Sequence, residues 1–293
     1  MLLGFADYRH QAAALAEALA LPCREVALHR FPDGESKVTL PSTLPERVLI
    51  CRSLDRPNDK LIELLLTART ARLCGARQLI LIAPYLCYMR QDKAFHPGEA
   101  VSQTLVGAFL ADLFDAVITV DPHLHRISDL REAVPLAQAV ALSAGPAMSD
   151  FLRQRNNPIL LGPDAESLQW VKSIATACDL EYGVGTKQRQ GDRRVSIRLP
   201  ELSLAGRNVL LVDDVISSGE TIAIAAGQCL QAGAAGVDVL TTHALFAPGA
   251  EQRLREAGVG ELWSTDSISH PSNCIPLAGL LADAVRSLPA GTP

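Results

Sequence analysis

The sequence predicts an α/β fold of two units, each a mainly parallel sheet flanked by helices. Strand-like and helix-like segments alternate along the whole chain, the βαβ rhythm that implies parallel strands joined by helical crossovers. Aromatic residues make up only 4% of the chain, so Ala, Leu and Val carry the apolar load, a composition suited to packing helices on sheets. At 293 residues the chain is long enough for two domains of ordinary size.

Taken in order, residues 47–51 (Arg-Val-Leu-Ile-Cys) read as a strand. Residues 59–74 read as a helix, with Leu61, Leu64, Leu65 and Ala68 at helical spacing. Residues 78–83 form a second strand ended by Pro84, residues 101–113 a helix and residues 116–120 a third strand. The rhythm then repeats. Residues 159–161 are a strand, 166–177 a helix, 209–212 a central strand, 221–231 a helix and 237–244 another strand. A small-residue stretch at 142–146 marks the boundary, giving an N-terminal domain over 1–143 and a C-terminal one over 144–293. The two halves look like related units without obvious residue identity. The last helix, 277–288, is placed to pack back on the first domain, and residues 289–293 are expected to fray.

Hydrophobic content of 48% and a net charge of −5 describe a soluble globular protein with no basic excess for nucleic acid. No stretch reaches the ~18–20 apolar residues of a membrane span. The N-terminus lacks a basic region followed by an apolar block and cleavage site, so no signal peptide is expected. The cysteines (Cys23, Cys51, Cys74, Cys87, Cys178, Cys229 and Cys274) are scattered, without a C-x-x-C pair. They read as reduced, buried thiols of a cytoplasmic protein, and a zinc site is not expected.

The most informative stretch is 209–221, Val-Leu-Leu-Val-Asp-Asp-Val-Ile-Ser-Ser-Gly-Glu-Thr. An apolar strand ends in two carboxylates, Asp213 and Asp214. A hydroxyl-rich turn follows (Ser217, Ser218, Gly219, Thr221), and then a helix. Backbone N–H groups and hydroxyls at a helix N-terminus attract a phosphate dianion, and glycine lets the backbone approach it closely. Adjacent carboxylates at a strand end are acceptors suited to a ribose diol. The pattern resembles the phosphoribosyl-pyrophosphate (PRPP) loop of phosphoribosyltransferases and PRPP synthetases. It indicates what is bound and leaves both families open.

Segments in the first half narrow the choice. Residues 30–37 (Arg-Phe-Pro-Asp-Gly-Glu-Ser-Lys) form a turn in which Phe31 offers a stacking face for a purine, while Asp33 and Glu35 can accept from its amine or ribose. Alone, Pro-Asp-Gly is simply a turn. Residues 84–93 leave the end of a strand and place Arg90, Gln91 and Asp92 where open α/β sheets bind ligands. Arg90 suits a triphosphate; a solvated loop is the plainer reading. In Asp121-Pro-His-Leu-His125, histidines at i, i+2 after an acid are suited to a divalent ion, or one of them, His125, is a buried structural histidine. His123 is the better functional candidate.

Together these segments resemble the ribose-phosphate pyrophosphokinase (PRPP synthetase) family. The family carries Phe-x-Asp-Gly-Glu, then Arg-Gln-Asp after Pro-Tyr-x-x-Tyr, then Asp-x-His, a Pro-Asp segment, a Lys-containing mobile loop and the PRPP loop. All occur here in that order over nearly the whole chain. The resemblance implies two phosphoribosyltransferase-like units, an ATP-side N-terminal domain and a ribose-5-phosphate C-terminal domain. It implies transfer of the β,γ-diphosphoryl group of ATP to the C1 hydroxyl of ribose 5-phosphate, giving PRPP and AMP with Mg²⁺. Phe31, Asp33 and Glu35 would bind adenine and ribose from a neighbouring subunit of a homo-oligomer, and Arg90, Gln91 and Asp92 the nucleotide. His123 would sit at the metal–ATP end, and Asp164 would serve a second metal and the ribose hydroxyls. Asp213 and Asp214 would take the 2- and 3-hydroxyls, and Ser217, Ser218, Gly219, Glu220 and Thr221 the 5-phosphate. Lys187 and Arg189, in the polar loop 185–192, would supply catalytic cations on closure.

The chain departs from the family pattern in several places. The mobile loop reads Lys187-Gln188-Arg189 where many members have Lys-Arg-Arg. Ala165-Glu166-Ser167 stands where a glycine pair often follows Pro-Asp. Glu220 replaces a glycine of the PRPP loop. His96-Pro-Gly-Glu99 replaces the Arg-Glu-Pro form of the phosphate-activated, ADP-inhibited members, which removes the basis for expecting that regulation. Two other functions compete: a phosphoribosyltransferase sharing only the loop, and a catalytically silent regulatory relative. The Phe31 and Arg90 segments count against the first; retention of Lys187, Arg189, His123 and both loop acids counts against the second.

Overall fold

The computed structural model describes residues 1–155, 157–190 and 194–289, with the side chains of 187–190 and 194–196 outside the description. It divides into two compact units, 1–143 with 277–293, and 144–276.

In the first unit the chain runs β1 (Leu2–Gly4), α1 (Arg9–Ala18) and β2 (Cys23–Glu25), then an antiparallel hairpin of β3 (Ala27–Arg30) and β4 (Ser36–Thr39). It continues through β5 (Arg47–Cys51), α2 (Pro57–Leu73), β6 (Gln78–Ile82), α3 (Ser102–Ala111), β7 (Ala116–Val120), α4 (Leu130–Ala133) and β8 (Ala139–Leu142). The sheet order is β2-β1-β5-β6-β7-β8, parallel throughout. A parallel sheet covered on both faces needs strands apolar on both faces. Accordingly all of β7 is buried, as is β5 after Arg47.

The second unit opens with α5 (Gly145–Leu152), β9 (Ile159–Gly162), a single 3₁₀ turn at Ala165–Ser167, α6 (Leu168–Cys178) and β10 (Tyr182–Val184). A second antiparallel hairpin, β11 (Thr186–Gln190) and β12 (Arg194–Arg198), precedes β13 (Asn208–Ile216) and α7 (Glu220–Gln231). The unit closes with β14 (Gly236–Ala244), α8 (Ala250–Glu256), β15 (Val259–Thr265) and β16 (Asn273–Ile275). Its parallel sheet is ordered β10-β9-β13-β14-β15-β16. The final helix α9 (Ala278–Ser287) belongs to the first unit, where Arg286 donates to the Ala18 carbonyl and Arg47 Nη2 to that of Val285 at 3.4 Å.

The two sheets share one plan. In each, the second strand lies outside the first and the third on its other side, with a hairpin inserted between second and third. Each first strand leads into a 3₁₀ turn associated with an aspartate: Asp7 lies within Ala6–Tyr8, and Asp164 caps Ala165–Ser167. Ligands in such sheets bind at the point where strand order reverses. In the first unit that point is filled by the protein's own charges. Arg52, directly after β5, is 4% exposed and stacks on Phe5 at 4.1 Å. It approaches Asp7 at 3.3 Å and Glu63 at 2.7 Å, while Lys60 reaches Asp7 at 2.9 Å and Asp55 at 2.7 Å.

All seven cysteines are free thiols. Among the described residues no helix is long and apolar enough to cross a membrane.

Candidate active site

In the second unit, β13 runs to Ile216, four residues beyond the predicted strand end at Val212. The acid pair is therefore inside the strand. On one edge its backbone stays in the ladder with β14, where Asp213 pairs with Thr241 and Ile216 with Ala244, while pairing with β9 on the other edge ends at Leu211. Asp214 is 4% exposed; its Oδ1 accepts from the Val215 N–H at 2.7 Å and its carbonyl from Thr241 Oγ1 at 3.2 Å. Asp213 Oδ1 accepts from the Asp214 N–H at 3.1 Å.

Burial pushes the Asp213 carboxyl well above the ordinary carboxylate range, and the neighbouring acids Asp214 and then Asp164 push it further. Packing like charges this closely is costly unless a cation or hydrogen-bond donors arrive to share them. Asp164 lies just after β9. Its side chain accepts from the Glu166 N–H at 3.0 Å, and its carbonyl from Ser167 Oγ at 2.6 Å. Carboxylate oxygens are acceptors suited to the hydroxyls of a sugar.

Ser217, Ser218 and Gly219 turn the chain from β13 into α7. Gly219 sits at φ 72°, where a Cβ is disfavoured, and caps the helix. Ser218 Oγ accepts weakly from the Glu220 N–H at 3.4 Å. Glu220 is exposed and Thr221 half-buried. The first-turn N–H groups of α7 are thus presented at the carboxyl end of the central strand, the arrangement that receives a phosphate.

Residues 185–192, read as a loop, include the strand β11, which places Lys187 opposite Ile197 and Arg189 opposite Val195 in backbone register. Alternation with β12 turns a polar, glycine-bounded segment into a hairpin. The side chains of Lys187 and Arg189, and all of Gly191–Arg193, lie outside the described residues.

In the first unit, Phe31, Asp33 and Glu35 form the β3–β4 tip. The Phe31 N–H donates to Glu35 O at 2.8 Å, the Gly34 N–H to Phe31 O at 2.9 Å, and the Glu35 N–H to Asp33 Oδ1 at 3.1 Å. Asp33 therefore also builds the turn. Phe31 is 41% exposed with His29 edge-on at 4.8 Å, leaving ring surface for stacking. Arg30–Asp59 at 2.6 Å and Ser36–Glu63 at 3.0 Å hold the hairpin to α2.

After β6, Arg90 is exposed, and the Gln91 side chain donates to Lys93 O at 3.0 Å. The Asp92 side chain is only 2% exposed and is ion-paired to Arg126, while its Oδ2 is buried without a hydrogen bond among the described residues. An orphaned carboxylate oxygen of this kind is an acceptor awaiting a donor or cation. Arg126 was not legible as its partner, although it directly follows the Asp-Pro-His-Leu-His segment. His123 and His125 stack edge-to-face at 4.1 Å; His125 is exposed, which removes the buried structural alternative.

Two family models match the chain: the N-terminal domain of ribose phosphate pyrophosphokinase over residues 1–113, and the phosphoribosyl transferase domain over 130–278. A ribose-phosphate pyrophosphokinase from Methanopyrus kandleri is 35% identical over 278 residues, covering 94% of each chain. The chain belongs to the ribose-phosphate pyrophosphokinase family. A further pyrophosphokinase, from Saccharolobus solfataricus, is 34% identical, covering 87% of this chain and 89% of its own. The crystal structure of phosphoribosylpyrophosphate synthetase from Mycobacterium smegmatis shares the fold with a TM-score of 0.83, at 22% identity and over 98% of this chain and 97% of that one. The pyrophosphokinase family thus accounts for both parallel sheets and for the order of the motifs.

Proposed function

We propose that this chain is an active ribose-phosphate diphosphokinase: it transfers the β,γ-diphosphoryl group of ATP to the C1 hydroxyl of ribose 5-phosphate, releasing AMP and PRPP. The observation that carries the reading is the β13–α7 segment. A crowded carboxylate group at Asp213, Asp214 and Asp164 precedes a glycine-capped helix start, on a chain with family identity along nearly its full length.

In this reading the second unit holds the acceptor. The α7 N–H groups, with Ser217, Ser218, Gly219, Glu220 and Thr221, bind the 5-phosphate. Asp213 and Asp214 accept from the ribose hydroxyls. The exposed side chain of Glu220 leaves its N–H in the phosphate cradle. The first unit holds ATP through Phe31, Asp33 and Glu35 at the hairpin tip and through Arg90, Gln91 and Asp92. Asp92 acts from its unpaired oxygen, with Arg126 fixing the carboxylate. The C1 oxygen attacks the β-phosphorus in line, and AMP leaves. Lys187 and Arg189 stabilise the charge that builds on the transferred group and the leaving oxygen, the main catalytic requirement of phosphoryl transfer. His123 and Asp164 are the metal-binding candidates. Mg²⁺, when bound, neutralises charge on the diphosphate. The subunits assemble into a homo-oligomer whose hairpin tip serves a neighbour's nucleotide.

Incubation with Mg²⁺, ATP and ribose 5-phosphate is expected to yield AMP and PRPP in equal amounts. Consumption of PRPP plus a free base without AMP formation would instead make the chain a transferase, and no reaction at all a silent partner.

A further inference from the structure

We propose that Arg253, on α8, is a positioning residue for the phosphate-binding loop: it fixes the Ser218 carbonyl so that the loop N–H groups point at the 5-phosphate. The inference rests on the reading of 217–221 as the ribose-5-phosphate cradle.

The segment following β14 backs the loop one peptide at a time. The Phe246 N–H donates to Ile216 O at 3.0 Å and the Ala247 N–H to Ser217 O at 2.9 Å. Arg253 Nη1 then donates to Ser218 O. Three consecutive carbonyls are thus held toward one side. In a planar trans peptide the N–H of the next residue points opposite to the carbonyl. Holding the Ser217 carbonyl toward Ala247 and the Ser218 carbonyl toward Arg253 therefore turns the N–H groups of Ser218 and Gly219 away from these partners. Arg253 supplies the last of these three contacts, and the only one made by a side chain. Without it the 218–219 peptide, next to a residue at φ 72°, loses the restraint on its orientation. A flipped peptide would direct a carbonyl oxygen at the phosphate. Close backing is visible in the packing too: a Cβ on Gly219 would lie 3.4 Å from Ala250 O and 3.5 Å from the Leu254 side chain.

Arg253 touches no substrate in this arrangement. It is exposed, so its removal leaves the core intact. The reading predicts a split between kinetic constants. Arg253→Ala raises KM and the calorimetric Kd for ribose 5-phosphate about tenfold, equivalent to about 1.4 kcal/mol. The KM for ATP stays within about twofold and the melting temperature is unchanged, the effect being that of losing one charge-assisted hydrogen bond. Arg253→Lys recovers most of the affinity. Arg255→Ala, which removes an exposed pair with Glu251 at 3.2 Å on the same helix, leaves both constants unchanged. Wild-type AMP formation is measured first, so failure of the parent reading is seen separately. If the wild type is active and Arg253→Ala keeps its ribose-5-phosphate KM and Kd, or weakens both substrates equally, the positioning role is overturned.

Discussion

Asp213 carries a pKa raised by burial and by two neighbouring acids, and this has a thermodynamic sign. A carboxyl with a higher pKa folded than unfolded favours the native state only while both forms are protonated. That contribution is lost as pH rises from the unfolded value, about 3.9, through the folded one. At neutral pH the ligand-free protein is therefore strained at this site. Asp213→Asn is expected to raise the melting temperature of the ligand-free protein at pH 7–8, leave it unchanged near pH 3, and remove ribose-5-phosphate binding. Differential scanning fluorimetry across that range, paired with calorimetric titration, checks all three. Lys187→Ala is expected to lower kcat at least about a hundredfold with an unaltered melting temperature; near-normal turnover would take Lys187 out of the mechanism. Asp213 and Asp214 were visible in the sequence as candidates because acids, glycine and hydroxyls have few reasons to fall in that order, and Lys187 only through the family resemblance. Arg126 and Arg253 were not. Their partners are distant in sequence, a carboxylate at Asp92 and a carbonyl at Ser218, and no local pattern encodes such pairs.

At the level of elements, the βαβ alternation was legible wherever apolar runs were long, as at Arg47–Cys51 and Ala116–Val120, whose bounds match the reading. It failed where polar residues sit inside strands. Asp213 and Asp214 looked like a strand end, yet β14 pairs with Asp213 and again with Val215 and Ile216, which extends β13 to Ile216. Both hairpins were read as turns or loops because β3 is exposed along its length and β11 is polar, while the polar–apolar alternation of β12 (Arg194-Val-Ser-Ile-Arg198) went unread. The short junction between β9 and the Asp164 turn is tightly built. A Cβ at Gly162 would fall 2.0 Å from Ser167 Oγ, the group that donates to Asp164 O, and 3.0 Å from Val184. Gly162→Ala is expected to destabilise the protein by about 1–3 kcal/mol and to displace the Asp164 carboxylate. The measurement is an urea midpoint together with the Mg²⁺ concentration needed for half-maximal AMP formation, which should rise.

Across the whole molecule, the first unit is discontinuous in sequence. Residues 277–289 follow the second unit along the chain but bury Leu281, Val285 and Leu288 in the first, each worth about 1.5–3 kcal/mol when fully buried. Deleting everything after Pro276 is expected to lower amide hydrogen-exchange protection in β1 and α1 while leaving β13 and β14 as protected as before. Loss of protection in the second unit instead would contradict the division. The shared strand plan has a separate consequence. The two sheets share one topology, each interrupted by a hairpin at the same step, yet they differ in what stands at the reversal point. One sheet holds Asp213, Asp214 and Asp164 there, crowded enough to raise the Asp213 carboxyl. The other sets Arg52 and Lys60 against Asp7 and carries its own counter-charges. In the proposed reading its ligand contacts lie further out, at the hairpin tip and the connections after β6 and β7. The first half has its charges paired at that point before any ligand arrives; the second, in the proposed reading, shares its carboxylate charge with the sugar it receives.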